Sequence, residues 1–337
     1  MKLCMVTPWG RHTRCGIRSY SENLAHALAK LGVEVYIARW PRFGRLTEDI
    51  VKLVVEKLPK DVDLIHVQHE YGLFKGLERP FYTALARLRI PVVTTMHAVG
   101  DWMKDAIVAS ASRKVIVHNK FCYDRFQYKD KAVILPHGCE PVECPPADEC
   151  KRRLGINPKI PVVGYLGFIS RYKGVERLVE AMAGVENAVL LIAGGYHVEP
   201  GTDYIQRLQR MSVGMLGRRV AWLGYIPDER LKWVYGAMDV LVYPSRYATE
   251  SGALLTGLSH GRATIASDLS PFREKEEKGA LITFKDVDDL RRKIKLLLED
   301  DGLRMELEEG ARRYAESVRW YPVIAEKHIN LYENILA

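Results

Sequence analysis

One recurrence constrains this chain more than anything else in it: a short apolar run, a loop carrying glycine or a polar residue, then a stretch with helical spacing. In the first half "KLCMVTP", "EVYIARW", "DLIHVQHE", "PVVTTMH", "KVIVHN" and "AVILPHG" read as strands. In the second half "PVVGYLG", "AVLLIAGG", "RVAWLGYI", "VLVYPS", "ATIASD" and "GALITF" do the same. Ser19 to Leu31 reads as a helix with Tyr20, Leu24, Ala27, Leu28 and Leu31 on one face, stopped by Gly32. Thr47 to Leu58, "ERPFYTALARLR" and "DERLKWVYGAM" are further helices. Apolar strands alternating with helices require parallel sheets covered on both faces, an α/β class. The 337 residues are enough for two such domains. The Pro-rich polar stretch from Pro145-Pro146 to Pro161, with a short helical piece around Glu149 to Leu154, marks the expected boundary. The expected division is therefore 1–155, 156–318 and a final helix, 319–337. Ligands of doubly wound sheets bind beyond the carboxyl ends of the strands, here in an expected cleft between the domains.

One such strand end is "GYLGFISRYKGVERLVEAM". The apolar run stops at Gly167, and Val175, Leu178, Val179 and Met182 then repeat at helical spacing. Arg171 and Lys173 fall in the loop that feeds the helix. Free amides and the positive dipole end already favour an anion there, and each charge-assisted hydrogen bond to phosphate adds roughly 1.5–3 kcal/mol. Solvated cations beside a strand are common, so the motif alone is only moderately specific.

Residues 1–155 carry 25 Lys+Arg against 17 Asp+Glu, and residues 156–337 carry 25 of each, so the whole net charge of +8 sits in the first half. That asymmetry suits a polyanion or an anionic membrane surface, and equally a plain basic domain. No nucleic-acid-binding motif accompanies it. No run approaches the ~18 apolar residues of a membrane span. "MKLCMVTPWG" reads as a strand rather than a signal peptide, so the expected location is cytoplasmic. The six cysteines contain no C-x-x-C pair. Cys139, Cys144 and Cys150 cluster near His137 at a spacing that matches no zinc pattern, and free thiols are expected.

Taken in order, "TPWGRHTRCGIRSYSENLAHALAKLGVEV", "TTMH", "VILPHG", "GFISRYKG", "LLIAGG", "AWLGYIPDERLKWVYGAMDVLVYPS" and "ESGALLTGLSHGRATIASD" resemble the retaining, nucleotide-sugar-dependent glycosyltransferases of the GT-B fold, typified by glycogen synthases and mannosyltransferases. The match runs through nearly the whole chain. It implies two Rossmann-like domains, with the C-terminal helix crossing back to the first. It implies that Arg171 and Lys173 hold the donor diphosphate, stabilising the leaving group. Gly16 would lie in the glycine loop that approaches the donor phosphates, with Arg14 beside it and Arg18 as an acceptor contact. Gly167, Ser251, Gly252 and Ala253 would line the donor, the last three through amides at a helix start. His97 would face the donor sugar. His69 and Glu70, ending another strand, are assigned to the acceptor.

The sequence also departs from the family pattern. Ala98 stands where an acidic residue often follows the histidine. Glu250 is the first of two expected glutamates and would accept hydrogen bonds from sugar hydroxyls, but the second position falls on Leu258 or Thr256. The implied co-substrate is a nucleotide diphosphate sugar, with no cofactor and no obligatory metal. There is no Asp-x-Asp motif, and "DVDD" (286–289) opens a helix. The expected reaction moves a hexose to a sugar or lipid-linked acceptor. A sugar-1-phosphate phosphorylase, a nucleotide-sugar epimerase and a non-catalytic sugar-binding subunit are the alternatives. "RWPRFGR", with Arg39, Trp40, Arg42, Phe43 and Arg45, suits peripheral contact with an anionic membrane. In the tail, Ile324, Ile329, Leu331, Ile335 and Leu336 are the expected packing face.

Overall fold

The computed structural model describes residues 1–9, 15–41, 46–195 and 203–337. Met1–Gly138 and Val318–Ala337 form one unit, and Cys139–Ser317 the other. In the first, strands β1 (Lys2–Pro8), β2 (Glu34–Trp40), β3 (Leu64–His69), β4 (Val92–Met96), β5 (Lys114–Val117) and β6 (Ala132–Ile134) make a sheet ordered β2-β1-β3-β4-β5-β6. All its pairings are parallel. The helices are α1 (Gly16–Lys30), α2 (Glu48–Glu56), α3 (Tyr71–Phe74), α4 (Glu78–Ala86), α5 (Trp102–Ala111) and α6 (Lys120–Arg125). A core cluster of Val6, Trp40, Val51, Val67, Phe74, Phe81, Leu85, Val115 and Phe126, among others, packs α2 and α4 against the sheet.

The second unit opens with α7 (Ala147–Arg153). Its strands are β7 (Val162–Leu166), β8 (Val189–Ala193), β9 (Val220–Gly224), β10 (Val240–Tyr243), β11 (Thr264–Ser267) and β12 (Ile282–Phe284), ordered β12-β11-β10-β7-β8-β9. They too are parallel throughout. The helices are α8 (Val175–Ala183), α9 (Tyr204–Leu216), α10 (Leu231–Gly236), α11 (Gly252–Ser259), α12 (Ser270–Glu276), α13 (Val287–Glu299) and α14 (Asp301–Ser317). The chain bends at Trp320–Ile324 and ends in α15 (Ala325–Leu336), which belongs to the first unit. Each sheet reverses its winding once, between β1 and β3 in the first unit and between β7 and β10 in the second. The loops beyond those strands are where a doubly wound sheet takes its ligand.

Three expectations about organisation are corrected. The division falls at Gly138/Cys139 rather than near residue 155. The proline-rich segment and α7 stay with the second unit because Lys151 Nζ donates to Asp239 Oδ2 at 2.7 Å and Cys150 packs against Gly236. The strands "TTMH" and "KVIVHN" are not consecutive elements: α5, capped by Asp101 Oδ1 accepting from the Lys104 amide, lies between them. Its first turn exposes Trp102 and Met103, which obscures its apolar period. Of the tail's expected packing face Ile324 is buried, but α15 itself buries Ala325, His328 and Tyr332, whereas Leu336 is exposed and Ile329, Leu331 and Ile335 are only half-buried.

Candidate active site

At the switch point of the second unit, β7 ends at Leu166 and the chain is pressed onto its neighbours. The Gly167 amide donates to the Ala193 carbonyl at 3.0 Å, and a Cβ on Gly194, whose φ is +141°, would lie 1.8 Å from the Gly167 oxygen. Arg171, Tyr172 and Lys173 form a single tight helical turn, closed by the Gly174 amide donating to the Arg171 carbonyl at 3.1 Å. Gly174 has φ +62°, and a Cβ there would lie 2.3 Å from the Pro244 oxygen. The turn between β7 and α8 is thereby docked against the end of β10. The Arg246 amide donates to the Tyr172 carbonyl at 2.8 Å, a second tie between the two loops.

Arg171 is exposed, with its guanidinium 5.7 Å from the centre of the Tyr204 ring. Lys173 is half-buried beside the Tyr172 ring, and no carboxylate pairs with it among the described residues. Burial pushes its ammonium down from 10.5 to about 8. An uncompensated, partly dehydrated cation is a group that an anion would stabilise. The nearest acid in sequence, Glu176, is already engaged. Tyr204 Oη donates to its Oε2 at 2.5 Å, and Arg246 Nη2 and Nε donate to its Oε1 at 2.6 and 3.1 Å. Burial would raise the Glu176 carboxyl, but these donors hold it below the ordinary carboxylate range.

Ser251 caps α11, its Oγ accepting from the Leu254 amide at 3.3 Å. Its own amide donates to Glu250 Oε1 at 2.8 Å. The other Glu250 oxygen accepts from Lys275 Nζ at 2.9 Å, and the two side chains keep only 8% and 3% of their exposure. Burial alone would lower the Lys275 ammonium, and the Glu250 charge instead raises it.

The family model described as "Glycosyl transferases group 1" matches residues 147–314, nearly all of the second unit. The chain is 27% identical over 198 residues to a D-inositol 3-phosphate glycosyltransferase of Corynebacterium jeikeium, covering 56% of this chain and 47% of that protein. It is 29% identical over 230 residues to a 2-deoxystreptamine N-acetyl-D-glucosaminyltransferase of Streptomyces fradiae, covering 59% and 53%. The chain thus spans about half the length of these curated relatives. By fold it is similar to sucrose-phosphate synthase of Thermosynechococcus elongatus, with TM-score 0.77, 20% identity and coverage of 99% and 98%. It is also similar to Anabaena HepE in complex with UDP-glucose, with TM-score 0.81, 16% identity and coverage of 99% and 100%. The second unit thus carries the match to the group 1 glycosyl transferases. The chain's two doubly wound sheets are those of the GT-B fold.

The expected donor contacts are placed unevenly. Gly252 and Ala253 start α11 at the surface, whereas the Ser251 amide is turned inward onto Glu250 and is not offered to a ligand. Glu250 is likewise held in its ion pair instead of projecting outward toward sugar hydroxyls. Of the two positions for a second glutamate, Leu258 is core, and Thr256 is the half-exposed one, its hydroxyl donating to the Gly252 carbonyl at 2.9 Å. Lys275 was not legible as a site residue because "FREKEEKG" reads as an ordinary charged helix end.

The first unit carries the remaining expected residues. Arg14 lies outside the described residues, as do Arg42, Phe43 and Arg45 of the basic loop. Gly16 is the first residue of α1, and nothing lies within 4 Å of where its Cβ would be, so neither φ nor packing demands glycine there. Arg18 donates to Glu22 Oε1 at 2.6 and 2.8 Å instead of standing clear for an acceptor. His69 has no exposed surface: its ring lies 4.6 Å from that of Phe74, with Glu78 Oε1 3.7 Å from its Nε2, so it is a core residue and not an acceptor contact. Glu70 is half-buried at the start of α3. His97 follows β4 and is half-buried, its Nε2 3.0 Å from Gln68 Oε1. Among the described residues, no group of three His, Cys, Asp or Glu could hold a metal ion. No helix among them is long and apolar enough to cross a membrane.

Proposed function

We propose that this chain transfers a hexose from a nucleotide diphosphate sugar to an acceptor hydroxyl, with retention of configuration and without a metal. The observation that carries the reading is the Arg171–Lys173 turn at the switch point of the second sheet, with Lys173 uncompensated and Glu176 neutralised by Tyr204 and Arg246. In this reading Arg171 and Lys173 bind the diphosphate and stabilise the charge that grows on it as the glycosidic bond breaks. Fixed cations replace the divalent ion that would otherwise do so. The departing phosphate takes the acceptor proton on the same face, which agrees with Glu250 being sequestered by Lys275 and unavailable as a nucleophile. Glu250 then acts by orienting the start of α11, and His97 serves the sugar.

The acceptor is proposed to be a sugar or a lipid-linked glycan bound by the first unit. That unit holds 24 Lys+Arg against 15 Asp+Glu, a net of +9, whereas the second holds 26 against 27. Its charge supports peripheral contact with an anionic membrane. Co-sedimentation no greater with anionic than with neutral vesicles would remove that part of the reading.

The deciding experiment is calorimetric titration with UDP, GDP and ADP, on the wild type and on Arg171→Ala/Lys173→Ala. Binding of one nucleotide, lost in the double variant, is the expected result. One observation favours a second reading, a sugar-1-phosphate phosphorylase: neither Leu258, in the core, nor Thr256, whose hydroxyl turns onto the helix, supplies the second glutamate that the resemblance implies. Folded protein that binds inorganic phosphate but no nucleotide would establish it instead.

A further inference from the structure

Six of the ten histidines belong to the first unit's core and its margins, and three polar side chains there, Tyr332, His66 and Gln68, join the returning helix α15 to His97. Tyr332 Oη lies 2.8 Å from His66 Nδ1. His66 Nε2 lies 2.8 Å from Thr95 Oγ1 and 3.3 Å from the Gln68 side-chain amide. That amide lies 3.0 Å from His97 Nε2, and His97 Nδ1 lies 3.4 Å from His118 Nε2. His118 Nδ1 lies 3.1 Å from the Leu135 carbonyl oxygen.

The last link fixes a direction. A carbonyl only accepts, so His118 carries its proton on Nδ1, and in the neutral ring Nε2 is bare. His97 must then donate to it from Nδ1, leaving its own Nε2 bare. A bare nitrogen needs a donor from Gln68, so the amide must present its NH2 to His97 and its oxygen to His66. Nitrogen and oxygen of a glutamine amide are nearly indistinguishable by shape, so their placement follows from the hydrogen bonds. His66 then donates from Nε2, shared with Thr95, and accepts at Nδ1 from the Tyr332 hydroxyl. With the amide turned the other way, His97 would need protons on both nitrogens. Burial opposes that cation, holding both His66 and His97 well below the ordinary imidazole range.

The geometry points to a one-way hydrogen-bond chain, Tyr332 to His66 to Gln68 to His97 to His118 to the Leu135 carbonyl, in which the Leu135 carbonyl sets the tautomer of His97 and Tyr332 on the C-terminal helix supplies the donor at the far end. Gln68 and Tyr332 are positioning residues: they complete the chain on the side of the bare His97 nitrogen without touching substrate. The inference bears on catalysis only through the proposed place of His97 in the transferase site, and its test does not depend on activity.

The test is long-range proton–nitrogen correlation on the full chain with nitrogen-15-labelled histidine. The expected signature is His97 and His118 protonated on Nδ1 and His66 on Nε2. Gln68→Glu, nearly isosteric and able only to accept when ionised, should draw a second proton onto His97 at Nε2, because His118 still needs the one on Nδ1. Tyr332→Phe should shift the His66 and His97 nitrogens together, although the ring stays. His97 protonated on Nε2 in the wild type, or His97 nitrogens unmoved by both variants, would overturn the chain. Sugar transfer or nucleotide binding that fails while these signatures hold would count against the transferase reading alone.

Discussion

Glu250 and Lys275 form a buried ion pair at 2.9 Å, and the carboxylate oxygen left over receives the amide of Ser251. The pair fixes the first residues of α11, where the chain turns from β10 towards the candidate donor site. Removing one member of such a pair leaves the other as an isolated buried charge, which destabilises by about 3–5 kcal/mol. Lys275→Met should therefore lower the urea midpoint sharply. Lys275→Met/Glu250→Gln should recover most of the loss, because no net charge remains below the surface. If single and double variants unfold alike, the pair is not what holds this helix start.

Lys173 makes binding pH-dependent. Its ammonium is depressed from 10.5 to about 8 by burial, so the unfolded chain binds the extra proton between those values. Stability therefore rises with pH across that window, and the penalty is fully present below it. Diphosphate binding has the opposite dependence, since the bound anion needs the charged amine. Affinity should be level up to pH 8 and then fall by up to about tenfold per unit, the limit for one linked proton. Phosphate itself has finished titrating there, its second pKa being about 6. Lys173→Gln should bind more weakly and show no such slope. An equal slope in that variant would assign the proton elsewhere.

Gly174 is where backbone and site meet. Its φ is +62°, and a Cβ added there would lie 2.3 Å from the Pro244 oxygen, so alanine strains the turn and pushes it off β10. Left-handed backbone in a non-glycine residue costs of order 1–3 kcal/mol, and the steric contact adds to it. Gly174→Ala should therefore lower stability by at least that amount. It should weaken nucleotide binding more than Gly16→Ala does, since a Cβ at Gly16 meets nothing. Urea unfolding and calorimetry on the two variants measure both effects.

Legibility in the sequence followed the range of the interaction. The apolar runs of β7, β8 and β10 could be read because each strand is buried on both faces. The Arg171–Lys173 turn could be read because its cations, glycines and helix start are contiguous. Glu250 was visible as a residue, but its commitment to Lys275, twenty-five positions on, was not. His69 looked like a strand-end ligand contact because nothing local reveals that Phe74 and Tyr82 close over it. The boundary was drawn at the prolines, since the contact of Cys150 with Gly236 that ties α7 to the second unit is long-range. For α15, the sequence favoured its aliphatic residues, while the buried face is made by His328 and Tyr332, which have polar atoms to satisfy.

The Glu176 clasp also shapes the site's charge. Arg246 is largely exposed, so its pair with Glu176 contributes little to folding, in the range of about 0–1 kcal/mol for surface ion pairs. Its effect on the site is larger than its effect on stability. Arg246→Met leaves an uncompensated carboxylate in the first turn of α8, one turn from Lys173, where an incoming diphosphate would meet it. Nucleotide affinity should drop several-fold with the urea midpoint almost unchanged. Adding Glu176→Gln should restore it, because the amide still accepts from Tyr204 but carries no charge. An Arg246→Met protein that binds as the wild type does would show that Glu176 is screened from the anion. A double variant as weak as the single one would mean that Arg246 acts on the ligand directly.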